Sequence, residues 1–484
     1  MSRLVARNAF WNVAGTLASL GVGLVALPVL LHAMGAPQLG VFTLALGLIG
    51  FSGLLDLGLG RALTQTVASA LGCRRPRAAV AALVWFVLYL LAGFGLLWAL
   101  LLWWAVPAVV THLFNLNGEL ARETIFGLRA VALSMPFSLL ATGAMGALEG
   151  LQEFRRVSSQ RAALSVVQFG FPAFVALLRL DLGWVIAALA SSRVLSSAVW
   201  LRGLRRLLPR QQGDQHQRED LHHLLRFGGW LSVSNLVGPL MAYADRFYLA
   251  SLFPPAALAY YTVPYDSLLR ITTLPVTAMG AVFPALAESQ NEPARAGPLV
   301  RFSIQALVAL MLPPLLLATV FASPLLTLWL GPAFARQSAS IFQCLVLGVF
   351  LNSTAHLPFA LLQAHGRADL TAKLHVGELP LFAVMLVWAV GRWGVEGAAL
   401  AWTMRVALDT GLLYAAALRL LPELRNPIWR GAGLAFMAAI VLCVPLFTAN
   451  PSTTGLLAFV VCGACSLQIR SLARQWRLHK SSPP

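Results

Sequence analysis

The hydrophobic positions of this chain fall into long runs, separated by short connectors that hold most of the polar and charged residues. A helix needs about 20 consecutive, mainly apolar residues to cross a bilayer. The runs have roughly that length, so the pattern predicts an all-α integral membrane protein with about 14 transmembrane helices. The predicted helices cover residues 9–31, 41–70, 78–106, 125–148, 162–178, 184–201, 227–252, 260–286, 302–330, 338–362, 374–390, 398–418, 431–447 and 455–469.

The first run follows Arg3 and Arg7, a charge pattern that a secretory signal peptide also shows. The apolar core of a signal peptide usually has about 7–15 residues. Residues 9–31 form a longer run, and we therefore expect the first spanning helix, not a cleaved signal.

The composition excludes an ordinary soluble enzyme. Of the 484 residues, 58% are hydrophobic and 11% charged, whereas soluble domains carry about 25% charged residues. The 35 basic residues outnumber the 18 acidic ones, and the formal net charge is +17. In a soluble chain such a charge would indicate nucleic acid, but in a membrane protein topology and anionic lipids explain it first.

Connectors that are rich in arginine alternate with connectors that are poor in arginine along the fourteen predicted helices. With the N-terminus in the cytoplasm, 25 of the 35 basic residues lie in cytoplasmic segments, among them Arg155, Arg156 and Arg161. Outer loops hold four, and six lie within helices. Because positive residues favour the cytoplasmic side, we expect both termini to be cytoplasmic, and no nucleic-acid partner is needed to explain the basic excess.

No arrangement of residues points to catalysis or to a bound metal. The five cysteines lie in or beside apolar runs without metal-ligand spacing. The longest predicted outer loop, residues 107–124, carries His112 and Glu119 in no recognisable catalytic order. We therefore expect no enzyme, no catalytic residue, no metal and no cofactor. A glycan polymerase or acyltransferase is a distant alternative.

A polar stretch between residues 205 and 226 divides the chain into two halves, and its composition is that of a flexible linker. The predicted organisation has four parts. They are an N-terminal six-helix bundle (1–208), a cytoplasmic linker (209–226), a C-terminal six-helix bundle (227–422), and two additional helices with a basic tail (423–484).

The two halves resemble each other in sequence. At an offset of 219 residues Arg7 matches Arg226 and Trp11 matches Trp230. Later, at an offset of 211, Arg156 matches Arg367. The six-helix unit is therefore predicted to occur twice in parallel, with a substrate cavity between the copies.

Eleven charged residues fall inside predicted helices, where a central charge costs roughly 2.5–3.5 kcal/mol on insertion scales. Such residues usually face a bundle interior or a wet cavity. They are Asp56, Arg61, Arg129, Arg193, Asp245, Arg246, Asp266, Arg270, Glu378, Arg405 and Asp409.

The arginine surplus lies in the front half, where three arginines face one aspartate. Because a guanidinium pairs bidentately with phosphate oxygens, we expect Arg61, Arg129 and Arg193 to form a cavity that suits an anionic head group. For Arg129, near the predicted outer end of its helix, an interfacial role is an alternative.

The other intramembrane charges are candidates for the cavity or for ion coupling. Asp266 and Arg270 are four residues apart and share a helix face, as do Arg405 and Asp409. The alternative is that these pairs only hold helices together. The candidates are Asp56, Asp245, Arg246, Asp266, Arg270, Arg405 and Asp409.

Five segments together resemble the Wzx-type lipid-linked oligosaccharide flippases, which belong to the polysaccharide transporters of the multidrug/oligosaccharidyl-lipid/polysaccharide exporter superfamily. The segments are residues 7–12 (RNAFWN), 39–42 (LGVF), 55–62 (LDLGLGRA), 243–246 (YADR) and 394–399 (GVEGAA).

The resemblance implies twelve to fourteen helices around a cationic cavity. It also implies flipping of an undecaprenyl-pyrophosphate-linked oligosaccharide across the bacterial inner membrane for O-antigen, lipopolysaccharide, capsule or exopolysaccharide assembly, in some members with a proton or sodium gradient. With such a substrate, we expect Arg61, Arg129 and Arg193 to bind the pyrophosphate. Membrane lipids, a glycan polymerase and a chain-length regulator are the implied partners. Drug/cation antiport, known in the same superfamily, is the main alternative.

Overall fold

The computed structural model describes residues 21–56, 58–73, 75–209, 241, 243–289, 292–447, 460, 461, 463 and 465. These residues form helices and turns and contain no strand. The helices are α1 (Gly21–Met34), α2 (Ala36–Leu55), α3 (Leu59–Gly72), α4 (Arg77–Ala108), α5 (Gly118–Gly150), α6 (Phe154–Leu177), α7 (Leu182–Leu207), α8 (243–252), α9 (Pro255–Leu269), α10 (Thr273–Glu288), α11 (Pro293–Val320), α12 (Ala322–Leu330), α13 (Pro332–Ala364), α14 (Ala368–Leu420) and α15 (Arg425–Phe447).

Each of the fourteen predicted spanning segments contains helical residues within the described part of the chain, which confirms the predicted count. Eight of the described helical stretches are long and apolar enough to cross a bilayer. On α4, the large side chains of Leu97, Leu100 and Leu101 are exposed, as expected for a surface that faces lipid. The chain is a multi-pass membrane protein.

Contacts divide the chain into two compact units, unit 1 (Met1–Thr262) and unit 2 (Val263–Pro484). Residues 210–226 of the predicted linker lie outside the described residues, and the predicted domain boundaries stay a prediction.

Unit 1 is built around α5, which packs against α3, α4 and α7. Small residues make the α3–α5 approach possible. A Cβ atom on Gly146 would lie 2.4 Å from the carbonyl oxygen of Gly60. Thr64 donates a hydrogen bond from its hydroxyl to the Gly146 carbonyl at 2.9 Å. Small residues allow membrane helices to meet in this way.

Unit 2 is built around α13, which packs against α10, α11, α12, α14 and α15. Helix α14 bends at Gly394, whose backbone has φ +59° and ψ −136°. We call residues 368–393 the first arm of α14 and residues 395–420 the second arm. Three hydroxyls of the second arm donate to carbonyls of α13. The pairs are Thr403 with Cys344, Thr410 with Leu351 and Tyr414 with Thr354.

The same series of elements occurs twice. Helices α5 and α13 both have 33 residues, and α6–α7 correspond to the two arms of α14. The second predicted helix of each half is interrupted, after Leu55 in the first half and at Arg270–Thr272 in the second. Backbone positions with positive φ also recur 214–216 residues apart, as Asn115 and Gly331, Gln152 and Gly366, and Arg179 and Gly394.

These positions correct the register of the later part of the repeat. The sequence offset of 211, which paired Arg156 with Arg367, is three to five residues too short. A shift of three or four residues returns an α-helix to nearly the same face. Apolar helices can therefore be aligned one turn out of register with little loss of similarity.

Candidate functional site: a cavity with two arginines in unit 1

Helices α5, α6 and α7 enclose a cavity of about 160 Å³. At about 30 Å³ for one water molecule in the liquid, the cavity has room for about five. Most of its polar lining comes from two arginines, one amide and four hydroxyl side chains. These residues are Ser138, Thr142, Arg161, Ser165, Gln168, Arg193 and Ser196.

Arg193 lies near the middle of α7. At 1.5 Å per residue it is about 16 Å from the start of the helix at Leu182 and about 21 Å from its end at Leu207. Its Nε atom is buried and makes no hydrogen bond within the described residues. The Ser138 hydroxyl on the facing helix is also buried, with 5% of the residue exposed, and has no described partner. Two unsatisfied polar groups therefore line the same cavity.

Arg161 extends into this cavity from α6, seven residues after the helix begins at Phe154. Its Nη2 atom donates a hydrogen bond to Oε1 of Glu149 at 2.7 Å, and Met145 Sδ lies 3.5 Å from the same nitrogen. The sequence interpretation placed Arg161 in a cytoplasmic connector. Arg161 lies within helix α6 and not in a connector, because α6 begins eight residues earlier than predicted. The cytoplasmic side of this residue stays a prediction.

A larger cavity of about 780 Å³ lies at the opposite end of α5. Its charged lining residues are Glu123, Asp181 and Arg179, and His32 also lines it. It therefore has no arginine surplus of the kind found around Arg193.

Arg129 does not line either of these cavities. Its guanidinium carbon lies 4.8 Å from the centre of the Trp103 ring on α4, a cation–π distance. Arg129 also lies farther from the end of its helix than the sequence predicts. Because α5 begins at Gly118 and not at residue 125, Arg129 is about three turns inside it.

Arg61 belongs to α3, and its side chain lies outside what the structure describes. Asp56 stabilises the start of the same helix. Its two carboxylate oxygens accept hydrogen bonds from the backbone N–H groups of Gly58 at 2.8 Å and Gly60 at 3.3 Å. A carboxylate at a helix N-terminus satisfies unpaired donors and complements the helix dipole.

Asp245 is fully buried on α8 and accepts a hydrogen bond from the hydroxyl of Tyr261. The Asp245 carboxylate also accepts one from the backbone N–H of Arg246 at 2.8 Å. The guanidinium carbon of Arg246 lies 5.0 Å from the ring centre of Tyr243. These contacts connect α8 and α9 inside unit 1.

Asp266 and Arg270 are half-buried neighbours that interact electrostatically. Arg270 begins the short 3₁₀ segment Arg270–Thr272 that separates α9 from α10. The predicted proximity of these two residues is confirmed.

For Arg405 and Asp409 the structure shows different partners. Arg405 Nη1 lies 3.5 Å from Glu378 Oε2, and Asp409 Oδ1 lies 3.5 Å from His375 Nε2. The expected Arg405–Asp409 pair is therefore not what the structure shows. The bend at Gly394 brings the first arm of α14 against the second. Arg405 and Asp409 therefore pair with Glu378 and His375 of the first arm, and not with each other.

Sequence reasoning missed Glu149, Ser138 and Gln168 as parts of a site. Their signal is weak because single serines, glutamines and glutamates near helix ends are ordinary. A clue is the spacing of Arg161, Ser165 and Gln168, which lie on one face of α6 at intervals of four and three residues.

Comparison with known proteins identifies the family of this chain. Residues 5–290, more than half of the chain, match the family described as "Polysaccharide biosynthesis protein". The chain belongs to this family. A Shigella flexneri protein named as an O-antigen transporter is 28% identical over 414 residues, which cover 84% of this chain and 96% of that protein.

Two solved structures have a similar fold. The lipid II flippase MurJ in an inward closed conformation superposes with a TM-score of 0.71 at 14% identity, covering 95% of this chain and 99% of MurJ. An inward-facing multidrug resistance transporter of the MATE family superposes with a TM-score of 0.67 at 16% identity, covering 88% of this chain and 98% of that one. The chain therefore shares the fold of these two proteins.

Proposed function

We propose that this protein is a flippase that moves an undecaprenyl-pyrophosphate-linked oligosaccharide across the bacterial inner membrane by alternating access. The product would serve O-antigen, lipopolysaccharide, capsule or exopolysaccharide assembly. The observation that carries the proposal is the unit 1 cavity, which is lined by the half-buried Arg193, with its unpaired Nε atom, and by Arg161. The family and the name of the Shigella flexneri relative support the same substrate class.

The chemistry of the cavity suits a diphosphate. A guanidinium presents parallel N–H donors that match two phosphate oxygens. Ser138 would add a hydroxyl donor, and its hydrogen-bonding capacity is otherwise unused. Burial strengthens these interactions because the effective dielectric constant is lower than in water. Arg61, on the neighbouring α3, stays a candidate ligand for the same anion. Arg129 would stabilise the packing of α5 against α4 through its contact with Trp103.

The protein would be a transporter without enzymatic activity. The arginine distribution supports cytoplasmic termini, and the family supports a role beside a glycan polymerase and a chain-length regulator. Nucleic acid has no part in this proposal. Turnover would use a proton or sodium gradient.

Binding of farnesyl pyrophosphate to the full chain in lipid nanodiscs tests the anion site, with farnesol as the uncharged control ligand. We expect Arg193→Gln to weaken farnesyl pyrophosphate binding at least tenfold. Arg202→Gln, on an exposed turn of the same helix, is the matched control and should bind as the unchanged protein does. Equal affinity of both variants would contradict the proposal.

A transport assay separates this function from drug/cation antiport. Liposomes holding the protein and a short-chain pyrophosphate-linked oligosaccharide should expose the glycan on the opposite leaflet to an added glycosidase. If the vesicles instead move a cationic dye and leave the glycan in place, the antiport alternative is correct.

A further inference from the structure

A second group of ionisable side chains lies in unit 2, where α13 meets both arms of α14. We call Glu378 and Asp409 the carboxylate pair. Glu378 is 2% exposed and Asp409 7% exposed. The contacts Arg405–Glu378 and His375–Asp409 join the same neighbouring turns of the two arms, and they place the two carboxyl groups close to each other.

The carboxylate pair lacks the donors that two ionised carboxylates need. Both oxygens of Glu378 and Oδ1 of Asp409 are buried and form no hydrogen bond with a described donor group. Arg405 approaches Glu378 to 3.5 Å, and His375 approaches Asp409 to 3.5 Å. Both are ion-pair distances without hydrogen-bond geometry. Four lone-pair sites on each carboxylate would therefore be poorly satisfied.

The charges around the carboxylate pair come from three helical segments. His356 of α13 interacts with Asp409, His375 lies on the first arm of α14, and Arg405 lies on the second. With neutral histidines, two ionised carboxylates and one guanidinium leave a buried charge of −1. Burying an uncompensated charge is costly, and one additional positive charge makes the group neutral.

A proton fits this requirement better than a metal ion. Among the residues that the structure describes, no group of three or more His, Cys, Asp or Glu side chains is arranged to hold a metal. The Arg405 guanidinium, within ion-pair distance of Glu378, would also repel a bound cation. Two neighbouring carboxyl groups can share a single proton, since their like charges disfavour double ionisation.

We propose that Glu378 and Asp409 share one exchangeable proton. In the loaded state the Asp409 carboxyl holds the proton and donates an O–H hydrogen bond to Glu378, which remains a carboxylate paired with Arg405. On release, the O–H bond breaks, the proton transfers to Nε2 of neutral His375, and both carboxylates are then ionised. The His375 side chain is 36% exposed and can return the proton to water.

Infrared difference spectroscopy of the full chain at neutral pH tests the shared proton directly. The unchanged protein should show the C=O stretching band of a protonated carboxylic acid. Glu378→Gln and Asp409→Asn should each lose this band, because the remaining carboxylate is neutralised by Arg405. Glu423→Gln, at an exposed position in the turn before α15, is the control and should retain it.

Two results would overturn the proposal. The first is a band that persists in both Glu378→Gln and Asp409→Asn. The second is a band that disappears from the unchanged protein when sodium is added at constant pH, which would identify a cation site. Having two separate variants keeps the test valid if one of them does not fold.

A role of this proton in driving transport rests on the proposed function. In the liposome assay an imposed pH gradient should change the glycan-flipping rate severalfold for the unchanged protein and for Glu423→Gln, but not for Glu378→Gln. If no variant flips the glycan, the proposed function fails, whereas the infrared result stands by itself. Equal acceleration of Glu378→Gln would exclude the proton site as the coupling element.

Discussion

The hydroxyl of Thr262 donates a hydrogen bond to the hydroxyl of Thr43 at 2.8 Å, and the two residues are 219 positions apart. This is the offset that relates the first helices of the two sequence repeats. Helices α2 and α9 therefore contact each other, inside unit 1, through equivalent positions of the two sequence repeats.

Gly40 makes this contact possible, and its replacement should be costly. A Cβ atom there would lie 1.8 Å from the Pro255 carbonyl oxygen. We expect Gly40→Ala to reduce the free energy of unfolding by at least the 1–3 kcal/mol typical of overpacking, measured by thermal unfolding in detergent. Gly93→Ala, in open space on α4, is the control and should not destabilise. Equal stability of the two variants would contradict the close approach.

In the proposed anion site, Glu149 would compete with the anion for Arg161. Glu149→Gln removes the negative partner at 2.7 Å and leaves Arg161 available to phosphate. Because partly exposed ion pairs contribute about 0.2–1 kcal/mol, the affinity for farnesyl pyrophosphate should rise about two- to fivefold. Titration in nanodiscs measures this change. Glu153→Gln, in the turn between α5 and α6, serves as the comparison, and a decrease in affinity for Glu149→Gln would show that Glu149 supports the site.

Arg129 should affect stability more than binding. Its guanidinium lies over the Trp103 ring, where cation–π contacts contribute about 0.5–2 kcal/mol. Arg129→Gln is expected to lower the unfolding free energy by that amount and to keep the affinity for farnesyl pyrophosphate. Trp103→Leu should have the same effect on stability, and the double variant should be little worse than either single one. A tenfold loss of affinity in Arg129→Gln would instead place Arg129 in the anion site.

Asp56 should act as a helix cap. Asp56→Ala leaves the N–H groups of Gly58 and Gly60 without their acceptor, and loss of a cap costs about 0.5–2 kcal/mol. Asp56→Asn retains one oxygen acceptor and should lose less. Thermal unfolding measures both variants. If Asp56→Asn is the more damaging of the two, the negative charge matters more than the hydrogen bonds.

Arg405 should couple energetically to Glu378. Arg405→Gln leaves a buried charge without its partner, a change that typically costs 3–5 kcal/mol. Adding Glu378→Gln should recover part of that loss, because the unpaired charge is removed as well. A double-mutant cycle with thermal unfolding measures the coupling. A cycle of Arg405→Gln with Asp266→Asn is the reference, and an equal coupling there would mean that the Arg405–Glu378 contact is not specific.

The helical architecture could be predicted because its signals are local. Run length and hydrophobicity predict the spanning segments, and each of the fourteen contains helical residues in the described structure. The repeat was also detectable, since matched arginines such as Arg7 and Arg226 are rare in apolar sequence. Its later register was wrong, because the glycine and turn positions that decide it, such as Gly366, only become evident from backbone conformation.

The candidate charges were found from the sequence as well, since a charge in an apolar run is costly wherever it lies. Their partners were not. Asp245 accepts a hydrogen bond from Tyr261, which is sixteen residues away in sequence. Arg161 lines the unit 1 cavity, although the sequence predicted that it lies in a connector.

The sequence by itself determined that this chain is a membrane protein of many helices with surplus arginine in its front half. Only the tertiary structure decided that Arg193 shares a cavity with Arg161 and that Arg405 pairs with Glu378. The reason is physical. Hydrophobicity and helix period act along the chain, whereas the partner of a buried charge is decided by which helices pack together and where small residues let them approach.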